Sequence, residues 1–270
     1  MTDLAKRFLT AGVLIPLVLA AIFWGGSLGV WAVTYAVTLA SLDEFLRMML
    51  PAQARLERWV GFALGAIFAA SLYWSRDAEA SLAWLAGTVV ALFTLHLGQK
   101  RDLQLVGARV GVTLLGVLYV GLLLTPVALL GRRADASGWL VLALSLTFLG
   151  DTGAYFAGRA LGRHKLLPEV SPKKTVEGAL GGLCAAIGAT VVAKLWYMPE
   201  LAWRDCLLLA VPAGALAQLG DLCESMIKRG AGVKDSGWIL PGHGGMLDRI
   251  DGLLFSAPYV YLYSRWLYPA

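Results

Sequence analysis

The sequence predicts an all-α, polytopic membrane protein of about nine transmembrane helices with a cytoplasmic amino terminus. Three observations carry this. Hydrophobic residues make up 58% of the 270 and charged residues 15%, whereas a soluble globular domain carries about 25% charged residues. Apolar runs of spanning length recur along the whole chain, in keeping with a mean hydropathy of +0.68. Lysine and arginine collect in alternate connections instead of on one soluble face. The net charge of +5 is therefore assigned to membrane topology, and nucleic acid binding is excluded.

A helix rises about 1.5 Å per residue, so about 20 apolar residues cross the hydrocarbon layer. Such runs occupy roughly 8–24, 28–46, 59–75, 81–97, 103–130, 138–158, 176–197, 205–227 and 252–268. The first follows Lys6 and Arg7, as a signal peptide would, but no clear small-residue cleavage site closes it and more spans follow. A retained helix is expected. The fifth run is long and is expected to tilt or to break near Pro126. Residues 1–135 form an N-terminal group of about five spans. Residues 136–270 form a C-terminal region with polar loops at 159–175 and 228–251. Cys184, Cys206 and Cys223 lie apart in apolar runs, without CxxC or zinc spacing, and read as small buried hydrophobes.

The distribution of cations sets the orientation. Nine spans place one set of loops with Lys6, Arg7, Arg47, Arg55, Arg58, Lys100, Arg101, Arg159, Arg163, Lys165, Lys173, Lys174, Lys228, Arg229, Lys234 and Arg249. The opposite side receives Arg76, Arg132, Arg133, Arg204 and Arg265, while Arg109 and Lys194 fall inside spans. The richer side is cytoplasmic. The carboxyl terminus then faces out, with Tyr259, Tyr261, Tyr263, Trp266 and Tyr268 in an outer aromatic belt.

This orientation gives each acid a depth. Asp43 and Glu44 sit at the inner end of the second span, and Asp151 in the inner third of the sixth. Glu177 opens the seventh, Asp221 and Glu224 lie in the inner third of the eighth, and Asp248 and Asp251 lead into the ninth. No acid is assigned to the middle or outer part of a span. Ionised groups at such depth are costly and mark function. Their convergence on one layer predicts a polar cavity open to the cytoplasm.

The stretch Ser225–Asp251 is the most polar part of the chain, and the residues around it suggest its chemistry. Asp221, Glu224, Ser225 and Lys228 stand at i, i+3, i+4 and i+7, on one helical face. The plainer reading is a Glu224–Lys228 bridge within the helix. Asp248 and Asp251 are also three apart. With Asp221 they offer oxygen ligands that suit magnesium, which takes one or two carboxylates together with substrate phosphates. The plainer reading pairs Arg249 with one of these acids and makes Asp251 a helix cap. The glycines of PGHGG, residues 241–245, allow backbone N–H groups to cradle an anion. With Lys228, Arg229, Lys234 and Arg249 they suggest a triphosphate site, although no Walker loop is present. His243 serves either as an acid–base group or as a hydrogen-bonded brace. In SPKKTVEG, residues 171–178, Lys173 and Lys174 read either as phosphate-binding cations or as topology charge, with Thr175 as a helix cap. Gly178 and Gly182 have a spacing that explains close helix packing, and His96 and His164 read as structural.

Ser225, Lys228-Arg229, Lys234-Asp235, Gly237, Leu240-Pro241, His243-Gly244-Gly245, Asp248-Arg249 and Asp251 resemble the signature of the phosphatidate cytidylyltransferase family. SPKKTVEG and GDTGAYFAGR (residues 150–159) resemble its other polar segments. The resemblance runs from about 148 to 255, while the first five spans match only as apolar helices. It implies that CTP and phosphatidic acid give CDP-diacylglycerol and pyrophosphate. It implies catalytic roles for Asp221, Asp248, Asp251, Lys228, Arg249 and His243. Substrate contacts would come from Lys173, Lys174, Ser225, Arg229, Lys234, Asp235, Gly244, Gly245 and Asp151. Asp221, Asp248 and Asp251 would hold Mg2+, with a monovalent cation such as K+ beside it. It further implies a homodimer in the cell inner membrane with a cytoplasmic active site. The alternative is a CTP-dependent lipid kinase of the polyprenol or phytol kind. A transporter would spread its acids through the membrane depth, which this chain does not.

Overall fold

The computed structural model describes residues 3–75, 77–97, 103–240, 242 and 244–269, with side chains from residue 10 onward. His243 lies outside the described residues, as do Pro241, Arg76, Lys100 and Arg101.

All nine apolar runs are helical. They are α1 (Asp3–Phe23), α2 (Gly26–Met49), α3 (Arg55–Trp74), α4 (Ala78–Leu97), α5 (Val106–Gly116) continuing through a π-helical turn into α6 (Leu123–Leu130), α7 (Ala136–Leu161), α8 (Val176–Trp196), α9 (Asp205–Leu208) with α10 (Ala210–Gly230), and α11 (Leu247–Leu267). Five described stretches are long and apolar enough to cross a bilayer: Ala78–Leu97, Leu103–Leu130, Ala136–Leu161, Val176–Trp196 and Asp205–Gly230. Large apolar side chains such as Leu82, Val90, Leu180 and Leu195 face outward, a surface suited to lipid and not to water.

Local chemistry sets the boundaries. Leu50 is extended (φ −102°, ψ 140°) because Pro51 crowds a helical residue before it. The Thr175 hydroxyl accepts from Gly178 N at 3.1 Å and starts α8 as an N-cap. In the long fifth run the helix carries on through Pro126. The expected break comes a turn earlier, as the π-helical turn Val117–Leu122. The loop expected at 159–175 contains a small hairpin of β1 (Lys165–Leu167) and β2 (Ser171–Thr175), antiparallel, with Lys165 opposite Thr175.

Helices α7 and α8 touch backbone to backbone. A Cβ at Gly153 would lie 2.5 Å from Ala185 Cβ and 2.9 Å from Gly181 O, and one at Gly182 would lie 3.0 Å from Gly150 O. Small residues permit this approach, as in other membrane helix pairs. One apolar core joins Leu142, Leu146, Ala186, Leu209 and Val260 with Val30. The other joins Leu42, Phe45 and Leu46 of α2 to Val120, Leu254 and Ala257. Both cores therefore draw on residues from either side of position 135, and α11 is wedged between the two halves.

The far end differs from expectation. Asp205 is 1% exposed and departs from the single acidic layer. It accepts from Tyr263 Oη at 2.5 Å, from Tyr268 Oη and from Ala202 N at 2.6 Å. Tyr263 is thus a buried strut, and the partly exposed Tyr268 braces the same acid. Arg133 braces the same end, donating to Asp135 at 2.7 and 2.9 Å and to Tyr268 O at 2.7 Å.

Candidate active site

The end of α7, the β1–β2 hairpin, the start of α8, the end of α10 and the start of α11 meet around a cleft of about 560 Å³. An up-and-down bundle brings these termini to one side. Of the residues singled out from sequence, Asp151, Lys173, Lys174, Asp221, Lys228, Asp235, Asp248, Arg249 and Asp251 all line it. Ser225, Arg229, Lys234, Gly244 and Gly245 do not line it.

Each cleft residue has a local reason for its place. Helical periodicity on α10 stacks Asp221, Glu224 and Lys228 along one stripe. Lys174, on the strand that leads into α8, reaches across to Asp221, with Nζ 2.5 Å from Oδ2. Lys228 is buried and pairs both with Glu224, one turn back, and with Asp248 Oδ1 at 2.6 Å. The expected intrahelical bridge therefore exists and extends to α11. Thr175 caps α8, and Lys173 and Lys174 line the cleft. Arg249 makes no ion pair with Asp248 or Asp251 and stays directed to the cleft.

Asp248 is an organiser. Its Oδ2 accepts from Ser236 N at 3.0 Å and Gly245 N at 2.8 Å. A carboxylate in the first turn also suits the positive end of the α11 dipole. Gly244 has φ +81°, and a Cβ there would approach Asp248 Oδ2 to 2.9 Å, so a glycine is needed on both counts. Asp251 accepts from Gly252 N at 2.7 Å. The bare Cα of Gly220 leaves room for the Asp251 backbone. Asp151, Asp221 and Asp251 share the cleft and act on one another electrostatically.

Sequence reasoning placed Glu44 in the acidic layer without giving it a role. The structure buries it at 3% exposure. Its Oε2 accepts from Leu247 N at 2.9 Å and from Ser236 Oγ at 3.3 Å. Glu44 and Asp248 thus grip the same stretch from two sides: Ser236 by hydroxyl and amide, Gly245 and Leu247 by amides two residues apart. Arg159, Tyr155 and Gln218 were also missed as cleft residues. Gln218 donates to Ala179 O at 3.0 Å and so ties α10 to α8. The histidines read as structural do have partners. His164 Nδ1 lies 2.6 Å from Glu177, and His96 lies against Leu92 O and Glu57.

Among the described residues no three His, Cys, Asp or Glu side chains converge as a self-sufficient metal site. The donors present are carboxylate oxygens, the chemistry of a hard divalent ion. Two of them now face ammonium groups.

The chain's relatives decide the family. A sequence profile of the cytidylyltransferase family matches residues 5–267. The chain belongs to the cytidylyltransferase family. It is 36% identical to a phosphatidate cytidylyltransferase of Brucella suis, covering 98% of this chain and 94% of that one. It is 34% identical to one of Bacillus subtilis, covering 97% of each. It is 33% identical to one of Thermotoga maritima, covering 99% and 98%. Membership extends over the first five spans, where the sequence alone showed only apolar helices. It favours cytidylyl transfer over the lipid kinase alternative.

Proposed function

We propose that the protein is a phosphatidate cytidylyltransferase, which transfers CMP from CTP to phosphatidic acid and releases pyrophosphate. The observation that carries this is the cleft itself. Lys173, Lys174 and Arg249 face Asp151, Asp221 and Asp251 at one end of a helical bundle, in a member of this family.

The phosphate oxygen of the lipid attacks the α-phosphorus of CTP. A new P–O bond forms, the bond from the α-phosphorus to the bridging oxygen breaks, and pyrophosphate leaves with the electron pair. Both reactants are anions, so charge neutralisation is the main task. Lys173 and Arg249 are free of ion pairs among the described residues and are assigned to phosphate oxygens. Lys174 and Lys228 hold the positions of cations against Asp221 and Asp248. Phosphatidate is already ionised at neutral pH, so no general base is required and His243 need not move a proton.

Asp221, Asp248 and Asp251 would hold Mg2+, with K+ as the candidate companion ion. When bound, the divalent ion supplies further neutralisation of phosphate charge. Magnesium takes one or two carboxylates and completes its shell with waters and substrate phosphates. An ion at Asp221 would free Lys174 for phosphate.

The bias of cations toward the cleft end supports an inner-membrane enzyme with nine spans, a cytoplasmic amino terminus and a cytoplasmic site. The resemblance supports a homodimer. The test of the activity is incubation of purified protein with CTP, phosphatidate and Mg2+. CDP-diacylglycerol with pyrophosphate supports the proposal, and a new phospholipid with CDP overturns it.

A further inference from the structure

Beside the cleft lies a second cavity, of about 310 Å³, between the end of α2 and the loop after α10. Asp235 lines both, so the two adjoin. Their cations differ. The cleft sets Arg159, Lys173, Lys174, Lys228 and Arg249 against Asp151, Asp221, Asp235, Asp248 and Asp251, and Arg159, Lys173 and Arg249 stand outside its ion pairs among the described residues. The second cavity offers Asp43, Glu44 and Asp235 against Arg47 alone, and Arg47 is already bound to Asp43 at 2.7 Å. Phosphates are thus drawn to the cleft and repelled from its neighbour. A nucleotide that straddles Asp235 would have only one favourable direction.

Glu44 forms part of the second cavity's wall. Its Oε2 holds Leu247 N and Ser236 Oγ, while its Oε1 is buried without a hydrogen-bond partner. A buried acceptor left unsatisfied costs about 1–3 kcal/mol, and a donor brought by a ligand would recover this. Trp238, 80% exposed, lies at the cavity with Met48 and Ile239.

We propose that this cavity receives the pyrimidine base of the nucleotide, with Glu44 accepting a hydrogen bond from the exocyclic amino group and Trp238 stacking on the ring. The inference rests on the reading that CTP is the substrate. Cytosine carries an amino donor where uracil carries a carbonyl acceptor, and a carboxylate is its natural complement. A site built for a donor strongly rejects an analogue without one. An aromatic face adds affinity without telling bases apart. Glu44 is then a specificity residue as well as a brace of the loop.

The test compares kcat/KM for CTP and UTP in the wild type, Glu44→Gln and Trp238→Ala. The glutamine keeps an acceptor for Leu247 N and offers a donor in place of Oε1. The CTP:UTP ratio is expected to fall by about tenfold or more, as for one lost base contact. A parallel loss on both nucleotides, with the ratio unchanged, overturns the proposal and leaves Glu44 as a brace only. Trp238→Ala is expected to raise KM for CTP by about tenfold with kcat kept; an unchanged KM overturns the stacking role. Should Glu44→Gln not fold, the wild type decides. CTP dimethylated on its amino nitrogen should compete with CTP at least about tenfold less well than unmodified nucleotide, and equal competition refutes the site. Absence of cytidylyl transfer with any nucleotide instead refutes the underlying activity.

Discussion

Replacing Asp248 by asparagine removes one negative charge at the point where α10, α11 and the loop between them meet. The Asp248 side chain is 6% exposed and that of Lys228 11%, so solvent does little to soften the change. The carboxylate serves three donors, the Lys228 ammonium and the amides of Ser236 and Gly245. An amide has one acceptor oxygen and cannot serve both sides. Its NH2 then faces either the ammonium or two backbone donors. Removing one partner of a buried pair costs about 3–5 kcal/mol. Glu224 remains beside Lys228, which places the effect at the lower end, about 3 kcal/mol. At about 1.4 kcal/mol per tenfold, the loop's open population rises by about two powers of ten. The apolar cores are untouched, so the helices stay folded. We therefore expect Asp248→Asn to abolish CDP-diacylglycerol formation with Mg2+ present, and to speed trypsin cleavage after the exposed Lys234. The thermal midpoint in detergent should change little. Near-normal turnover with unchanged cleavage would refute both the clamp and the metal assignment.

Further predictions follow the same geometry. Lys173→Ala and Lys174→Ala should each lower activity at least about tenfold, as loss of a charge-assisted phosphate contact implies, with little change in thermal stability; unchanged activity returns both residues to topology charge. Thr175→Ala removes the α8 cap and should destabilise that end by about 1 kcal/mol, read as a lower thermal midpoint. Gly181→Val forces a branched side chain into Ala157 and the Gly153 carbonyl and should lower folded yield in detergent. Survival of that variant at wild-type yield would mean α7 and α8 can separate. Removal of divalent cations by chelation should stop turnover, and added Mg2+ should restore it, as measured by pyrophosphate release.

Much of the helical frame is legible because spanning helices need a long apolar stretch, and α4, α7 and α8 each contain one. The acidic layer is legible too, since Asp151, Asp221, Asp248 and Asp251 are costly wherever they lie in a span. What escapes is anything made by backbone or by distance. Ser236 and Glu44 are 192 residues apart, and no spacing rule links them. The partners of Asp248 include two main-chain amides, which leave no mark on a side-chain pattern. The hairpin at Lys165–Thr175 hides behind proline and lysines that read as loop. The fifth run shows the reverse error: Pro126 attracts the prediction of a break, yet the turn at Val117–Leu122 takes up the irregularity. Asp205 draws no reading from the sequence because its tyrosine partners lie about sixty residues away on α11 and just past its end.

The most direct measurement is the mass of the products formed by purified protein from CTP, phosphatidate and Mg2+. The account predicts CDP-diacylglycerol and pyrophosphate in equal amounts. A phosphorylated lipid accompanied by CDP, or no lipid product at all, would contradict it.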